Sequence, residues 1–154
     1  MRVGAAQFDI AWQDPAANLA TVSEFAVAAA AQGVDLLVVP EMFTTGFCTE
    51  SAEIAEPEAG AATVAALSAL SAQHAMGIIG SVAVDVGGAA PTARNRLVVV
   101  GPDGLLAHYD KRHPFSFAGE HLQFGAGDEV VTVEVGGVRV TPFVCYDLRF
   151  ADDF

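Results

Sequence analysis

Three side chains that could cooperate in acyl transfer, Glu41, Lys111 and Cys145, each stand directly after an apolar run of strand length. The ends of strands in a layered sheet lie close together, so residues far apart in the sequence can converge there. A thiol becomes nucleophilic when it loses its proton, a nearby carboxylate can take that proton, and an ammonium group stabilises the thiolate and the oxyanion of a tetrahedral intermediate. The three residues therefore predict acyl transfer through a thioester on the cysteine, with no need for a metal or an organic cofactor.

Each of these residues also has a plain structural explanation when it is taken alone. Glu41 could be an exposed loop carboxylate, and Lys111 beside Arg112 could be a solvated basic pair. Cys145 could be a small buried hydrophobe. The combination is more informative than its members, because it supplies a base, a cation and a nucleophile. The backbone N–H of Tyr146 would add a second donor to the oxyanion.

The elements that must position these residues alternate between strands and helices. Residues 2–10 are small and apolar and predict a buried strand. Asp14 and Pro15 predict the start of a helix over residues 16–32. The branched apolar run 34–40 predicts a strand buried on both faces. Strand, helix and strand with short connections predict layered α/β packing.

The rest of the chain continues this pattern up to the cysteine. The predicted elements, in chain order, are a loop over 42–60, a helix over 61–76, strands over 77–86, 94–100 and 105–109, an irregular segment over 110–128, and a hairpin of residues 129–134 and 138–144. The second strand of this hairpin is predicted to run directly into Cys145.

The composition describes a chain that can bury a sizeable core. Of its 154 residues 53% are hydrophobic, and the length suits a single domain over residues 1–154. The net charge of −12, from 19 acidic and 7 basic residues, argues against nucleic acid and against an anionic membrane surface as partners. No apolar run approaches the roughly 18 residues that a membrane-spanning helix needs.

The cysteines and histidines predict neither a disulfide framework nor a metal site. Cys48 and Cys145 are far apart in the sequence, and no CxxC or HxxxH spacing is present. The first residues lack the long apolar core of a secretion signal. We therefore expect two reduced thiols in a cytoplasmic protein.

Three segments resemble the motifs of a known family. They are LVVPEMFTTGF (residues 37–47), YDKRHPFSF (109–117) and VCYDLRF (144–150). In this order they closely resemble the Glu-Lys-Cys motifs of the nitrilase superfamily of carbon–nitrogen hydrolases. The stretches PEMFTTGF and DKRHPFSFAGEH look most like its omega-amidase branch, which hydrolyses the terminal amide of 2-oxo acids such as 2-oxoglutaramate and 2-oxosuccinamate. The resemblance implies an α/β fold of the α-β-β-α sandwich type.

The resemblance also implies a role for each of the three residues. Glu41 would be the general base, Lys111 would be the cation that stabilises the oxyanion, and Cys145 would be the nucleophile that carries the acyl group. The implied substrate is a small-molecule amide, and the implied reaction uses no cofactor. Members of the family usually assemble into dimers or larger oligomers, so a homo-oligomer is expected.

Further residues are expected to support the site because they match positions in or beside the motifs. Glu120 falls where the family often has a second glutamate that supports the lysine. Phe43 and Tyr146 stand next to the motif residues and are expected to line the substrate pocket.

The resemblance covers the whole chain, but the chain covers only part of the family's domain. Family members continue after the cysteine with further helices and strands, whereas this chain stops at Phe154. Where the family commonly has Pro-Glu, this chain has Ala151, Asp152 and Asp153. We therefore expect an N-terminal portion of the domain, apparently truncated after the cysteine and unstable or inactive when isolated.

Three alternatives stay open at the level of sequence. The chain could be a non-catalytic fragment or interaction module that keeps the motif residues without a complete pocket. It could be a nitrilase or another amidase of the same superfamily, because the same three residues serve nitriles, aliphatic amides, carbamoyl groups and acyl transfer across it. A cysteine hydrolase with His113 or His121 as its base is the third, but it leaves Glu41 and Lys111 without a role.

Overall fold

A mixed sheet carries the segments that contain the predicted site residues. The computed structural model describes residues 1–58 and 61–154. Within these residues the strands are β1 (Val3–Ala5), β2 (Leu36–Val38), β3 (Glu56–Pro57), β4 (Gly77–Asp85), β5 (Ala93–Gly101), β6 (Gly104–Asp110), β7 (Val133–Val135) and β8 (Val138–Val140). The α-helices are α1 (Pro15–Ala31), α2 (Ser51–Ile54), α3 (Ala62–His74) and α4 (Glu120–Gln123), and 3-10 helices span Ser116–Ala118, Cys145–Arg149 and Ala151–Asp153.

The strand order brings several strand ends to one edge of this sheet. β1, β2 and β4 are parallel neighbours, β3 pairs with the end of β4, β5 runs antiparallel to β4, and β6 runs antiparallel to β5. β2 and β6 therefore end at the same edge, which is also the edge where β5 begins. Glu41 follows β2 and Lys111 follows β6, so the topology places both residues at this edge.

Each face of the sheet is covered by a different part of the chain. Helices α1 and α3 pack on one face, and the β7–β8 hairpin packs on the other. The core under the helices includes Val22, Ala26, Leu67, Leu37, Ile78, Val82 and Val98. The core under the hairpin includes Leu36, Ile79, Leu97, Val99, Tyr109, Val135 and Val144. The described residues therefore form a helix layer, a sheet and a hairpin layer, in keeping with the predicted layered α/β packing.

Helix α1 begins and ends close to the predicted positions. The Asp14 carboxylate accepts a hydrogen bond from the Ala17 N–H (3.0 Å), and Pro15 is the first helical residue. The helix ends at Ala31, and Gly33 follows with a φ of +64°. This left-handed conformation is one that glycine adopts without strain, which explains the sharp turn into β2.

β1 is shorter than the strand predicted over residues 2–10. Only Val3–Ala5 pair with β2, and the chain leaves the sheet after Ala6. The buried side chain of Asn18 on α1 bonds both the N–H and the C=O of Ala11, at 2.8 and 2.7 Å. These backbone groups are therefore satisfied by a side chain instead of a neighbouring strand.

The segment around β2 differs from the prediction in two respects. The predicted strand over 34–40 was expected to be buried on both faces, but Val38 is 37% exposed and β2 covers only Leu36–Val38. The predicted loop over 42–60 contains α2 and β3. Residues 59–60 of that loop lie outside the described residues.

The hairpin that precedes the cysteine is also shorter than predicted. The strand predicted over 138–144 ends at Val140. Pro142 has no N–H to donate to a neighbouring strand, and the Val144 N–H donates to the Asp147 carboxylate at 2.9 Å. A turn after the hairpin therefore presents the thiol, and the prediction that a strand runs directly into the cysteine is wrong.

Gly80 on β4 leaves space for the segment that carries Glu41. A Cβ atom at this position would lie 2.2 Å from Val39 Cγ2 and 3.2 Å from Phe43 Cδ1. We expect Gly80→Ala to lower the free energy of unfolding by about 1–3 kcal/mol, the usual effect of overpacking a core. Urea denaturation measures this change, and adding Val39→Ala as a compensating substitution should recover part of it. Wild-type stability of the Gly80→Ala variant would contradict the close packing of Val39 and Phe43 against Gly80.

Candidate active site

Lys111 lies at the centre of a buried network of charged and polar side chains. Its backbone N–H donates to the Asn95 carbonyl oxygen at 2.9 Å, which continues the pairing of β5 and β6. Its ammonium group, which is fully buried, donates to Glu41 Oε1 and to Glu120 Oε2, both at 2.8 Å. The Phe47 ring lies beside the ammonium, 5.6 Å from Nζ to the ring centroid. The structure therefore brings together Glu41, Lys111 and Glu120.

The turn after β2 directs Glu41 toward this network. The next residue, Met42, has a left-handed backbone with φ of +46°. Its N–H donates to Ser81 Oγ at 2.9 Å, and the Phe43 N–H donates to the Ser81 carbonyl oxygen at 3.2 Å. Ser81 is buried on β4, so two hydrogen bonds tie the turn to the neighbouring strand. The Glu41 side chain remains 20% exposed and is the accessible carboxylate of the network.

Glu120 is the fully buried carboxylate of the network. It is the first residue of α4 and follows Gly119, whose φ is +76°. Its oxygens accept hydrogen bonds from the Lys111 ammonium, from Asn95 Nδ2 (2.9 Å) and from the Phe115 N–H. Its charge is therefore compensated by one cation and two neutral donors.

Cys145 begins a 3-10 helix and has a left-handed backbone, with φ of +46°. The buried Asp147 carboxylate, two residues later, holds this turn in place. It accepts hydrogen bonds from the Val144 N–H (2.9 Å), the Tyr109 hydroxyl (2.7 Å) and the His113 N–H (2.9 Å). Burial and the bond to Asp147 raise the pKa of the Tyr109 hydroxyl, which therefore stays a donor. These bonds connect the cysteine turn to the segment that carries Lys111.

The Glu41 carboxylate affects the pKa of both the Cys145 thiol and the Lys111 ammonium. Cys145 is exposed, and it lines the same cavity as Glu41. Partial burial raises the pKa of the thiol, the Glu41 charge raises it further, and Lys111 acts in the opposite direction. Burial alone lowers the pKa of Lys111, but the Glu41 and Glu120 carboxylates outweigh burial and raise it. The resting site therefore holds a protonated thiol beside a charged ammonium.

Two residues of this arrangement were not singled out as site residues by the sequence analysis. Asn95 donates from Nδ2 to Glu41 Oε1 at 2.8 Å and to Glu120. The sequence feature that could have indicated Asn95 is a small polar residue near the start of the predicted strand ARNRLVVV. In the structure this strand, β5, is antiparallel to both of its neighbours. Asp147 was noticed only as a polar residue after the cysteine, and its three hydrogen bonds require the tertiary fold.

Two cavities of about 450 Å³ each adjoin Cys145. One includes Glu41 and is otherwise mostly apolar, with a lining that includes Val38, Ile79, Val140 and Phe143. The other is lined by Phe115, Cys145, Tyr146, Leu148 and Arg149. Tyr146 therefore lines a cavity beside the thiol, and its expected contact with substrate stays a prediction.

Phe43 lies in a different environment from Tyr146. Its side chain is fully buried in the core under α1 and α3, where it packs against Gly80. Its expected contact with substrate stays a prediction.

The histidines proposed as alternative bases have other partners or positions. His113 Nε2 contacts Asp153 Oδ2 at 2.7 Å, and its ring stacks on Phe150 with centroids 3.5 Å apart. His121 is exposed on α4.

In residues 1–58 and 61–154, no group of three or more His, Cys, Asp and Glu side chains is arranged to hold a metal ion. Across the same residues, no helix is long and apolar enough to cross a membrane.

Comparison with known proteins agrees with the three motifs. The family model described as carbon-nitrogen hydrolase matches residues 2–153. The chain belongs to the carbon–nitrogen hydrolase family. This assignment confirms the resemblance that the motifs around Glu41, Lys111 and Cys145 indicate.

Curated members of the carbon–nitrogen hydrolase family include two informative relatives. Omega-amidase YafV of Yersinia enterocolitica is 42% identical over 144 residues, which are 94% of this chain and 54% of that protein. The 2-oxoglutaramate amidase of Bacillus subtilis (strain 168) is 31% identical over 148 residues, which are 95% of this chain and 56% of that protein. The chain therefore spans about half the length of the curated relatives it matches.

A solved structure supports the fold of this carbon–nitrogen hydrolase chain. It is the crystal structure of XC1258 from Xanthomonas campestris, a CN-hydrolase superfamily protein with an arsenic adduct in its active site. The two are 41% identical with a TM-score of 0.87, and the match covers 97% of this chain and 54% of that chain. The layered α/β fold of the nitrilase type is thereby confirmed.

Proposed function

We propose that the protein hydrolyses a small, non-peptide amide to a carboxylate and ammonia through a thioester on Cys145. The observation that carries this proposal is the network around Lys111, whose ammonium bonds both Glu41 and Glu120, while Glu41 and Cys145 line the same cavity. Such a network supplies a base and a cation beside one nucleophile. Membership of the carbon–nitrogen hydrolase family supports the same reaction class.

In the first half of the proposed reaction, Cys145 Sγ attacks the amide carbonyl carbon and Glu41 takes the thiol proton. The Lys111 ammonium and the Tyr146 N–H stabilise the oxyanion that forms. The C–N bond then breaks, and Glu41 gives its proton to the nitrogen, which leaves as ammonia. Burial and the Glu41 charge raise the pKa of the thiol, so the resting thiol is protonated and Glu41 is needed to accept its proton.

In the second half, a water molecule attacks the thioester while Glu41 takes one of its protons. The C–S bond breaks, the cysteine sulfur regains a proton, and the carboxylate product leaves. In this scheme Glu120 does not exchange protons with the substrate. It fixes the position of Lys111, since its two oxygens are already occupied by buried donors.

We propose the terminal amide of a 2-oxo acid, such as 2-oxoglutaramate, as the substrate. The names of two relatives, an omega-amidase and a 2-oxoglutaramate amidase, support this choice. Arg149 supports it independently, because this residue lines a cavity beside Cys145 and carries the charge needed to bind a carboxylate.

The substrate proposal is tested by measuring ammonia release from a panel of amides, with the protein produced at the length that its gene encodes. The panel contains 2-oxoglutaramate, 2-oxosuccinamate, glutamine and a simple nitrile. We expect kcat/KM for the 2-oxo amides to exceed that for glutamine by about 100-fold or more, because a site built for specific polar groups rejects a poorly matched analogue. Cys48→Ala should retain turnover, and Cys145→Ala should abolish it.

The same panel separates the alternatives. Turnover of nitriles or simple amides but not of 2-oxo amides would contradict the omega-amidase proposal and leave a nitrilase or another amidase. The absence of turnover with every substrate would support a non-catalytic interaction module.

We also propose that the protein works as a cytoplasmic homo-oligomer. Three exposed apolar side chains, Phe117 (84%), Leu122 (69%) and Leu148 (74%), support an interface between subunits. The mass of the protein in solution, measured by light scattering, tests the oligomer.

A further inference from the structure

Asn95 closes a ring of hydrogen bonds with the three charged residues of the network. Its single amide nitrogen donates to Glu41 Oε1 at 2.8 Å and to Glu120 Oε1 at 2.9 Å. The Lys111 ammonium bonds the same two carboxylates from another direction, at 2.8 Å each. Each carboxylate is therefore held by both the charged Lys111 donor and the neutral Asn95 donor, and Glu120 also accepts from the Phe115 N–H. Asn95 itself is 1% exposed.

The carboxylates fix the orientation of the Asn95 amide. An amide oxygen turned toward Glu41 and Glu120 would face only acceptors, so the nitrogen must face them. The oxygen Oδ1 is then buried without a hydrogen-bond partner among the described residues. Within the described residues, the hydrogen bonds of the Asn95 side chain are therefore those that its nitrogen donates to the two carboxylates.

The charges of the network do not balance without further donors. Two carboxylates, Glu41 and Glu120, share one ammonium, that of Lys111. The neighbouring Asp110 is paired with Arg96 at 2.6 Å, and Arg96 also bonds Glu58 at 2.6 Å, so a second pair of carboxylates shares a single cation. An amide nitrogen adds positive potential at both carboxylates without adding a second cation.

We propose that Asn95 is a positioning residue for the reaction proposed above, and the inference rests on that proposed function. Its amide N–H groups hold the Glu41 carboxylate beside the Cys145 thiol and hold Glu120 against Lys111. Asn95 thereby helps to give the two carboxylates different roles, in which Glu41 exchanges protons and Glu120 supports the Lys111 ammonium.

The test replaces Asn95 with leucine, which has a similar shape and no donor. Loss of the N–H groups makes the potential around the carboxylates and the thiol more negative, which favours bound protons. We expect the acidic limb of the kcat/KM profile and the pH midpoint of Cys145 alkylation by iodoacetamide both to move up by about half to one pH unit. We expect kcat to fall by about 10- to 100-fold, with a smaller change in KM.

The alkylation measurement does not need amide turnover, so it tests Asn95 even if the proposed substrate is wrong. Ser71→Ala is the matched control, because it removes a different buried hydrogen bond. Ser71 lies on α3, and its Oγ donates to the Met76 carbonyl oxygen at 2.6 Å. This substitution should lower stability without moving either pH midpoint. Wild-type midpoints in folded Asn95→Leu would overturn the inference. If that variant does not fold, the near-isosteric Asn95→Asp should move both midpoints further upward, and unchanged midpoints there would overturn it equally.

Discussion

Replacing Glu41 with glutamine is expected to lower kcat/KM by about 10²–10⁴, the range associated with general acid–base catalysis. The variant keeps the shape of the side chain and removes its ability to accept the thiol proton. The same change is expected to lower the pKa of the Cys145 thiol, because the Glu41 charge contributes to raising it. The thiolate fraction and the rate of turnover should therefore change in opposite directions.

Two measurements check this expectation together. The pH midpoint of iodoacetamide alkylation at Cys145 reports the thiol, and ammonia release reports turnover. Glu24→Gln is the matched control, since Glu24 is an exposed glutamate on α1, outside the network, and its replacement should change neither quantity. A Glu41→Gln variant with turnover within about tenfold of the wild type would rule out Glu41 as the general base.

Replacing Lys111 with methionine is expected to reduce both stability and turnover. The Glu120 side chain is fully buried, so the variant leaves its charge without a cation. Breaking a buried ion pair from one side costs about 3–5 kcal/mol. Because the carboxylates raise the pKa of Lys111, its charged form persists through neutral pH, and the loss should not vary across that range. Loss of the oxyanion-stabilising cation should lower kcat by about 10²–10³.

A double variant separates the two effects of Lys111. Lys111→Met combined with Glu120→Gln removes both buried charges, so it should recover part of the free energy of unfolding without recovering turnover. Urea denaturation and ammonia release measure the two quantities. If the double variant is no more stable than Lys111→Met alone, the unpaired Glu120 charge is not the cause of the destabilisation.

The positions of Glu41 and Lys111 could be predicted from the sequence because each depends on a simple topological relation. Both follow strands, and strands that run in the same direction end at the same edge of a sheet. The observed order of β2, β4, β5 and β6 satisfies this relation. Asn95 lies at the same edge because β5 starts there. The prediction considered only residues that follow the end of a strand, so it did not include Asn95.

The route of the chain into Cys145 could not be predicted from hydrophobicity. The apolar run before the cysteine resembles a strand, but Pro142 removes a donor and Asp147 takes the N–H of Val144. Such competition between a side chain and a strand partner depends on Tyr109 and other residues distant in the sequence. The sequence therefore predicted the wrong local structure for the candidate nucleophile.

The left-handed backbone of Cys145 has a consequence for protein engineering. A non-glycine residue at φ of +46° carries strain of about 1–2 kcal/mol, which glycine would relieve. Selection for thermal stability alone would therefore favour glycine at position 145 and would delete the thiol. If Cys145 is the nucleophile proposed above, stability and reactivity favour different residues at this one position, and a programme that seeks more robust variants must exclude it from its library.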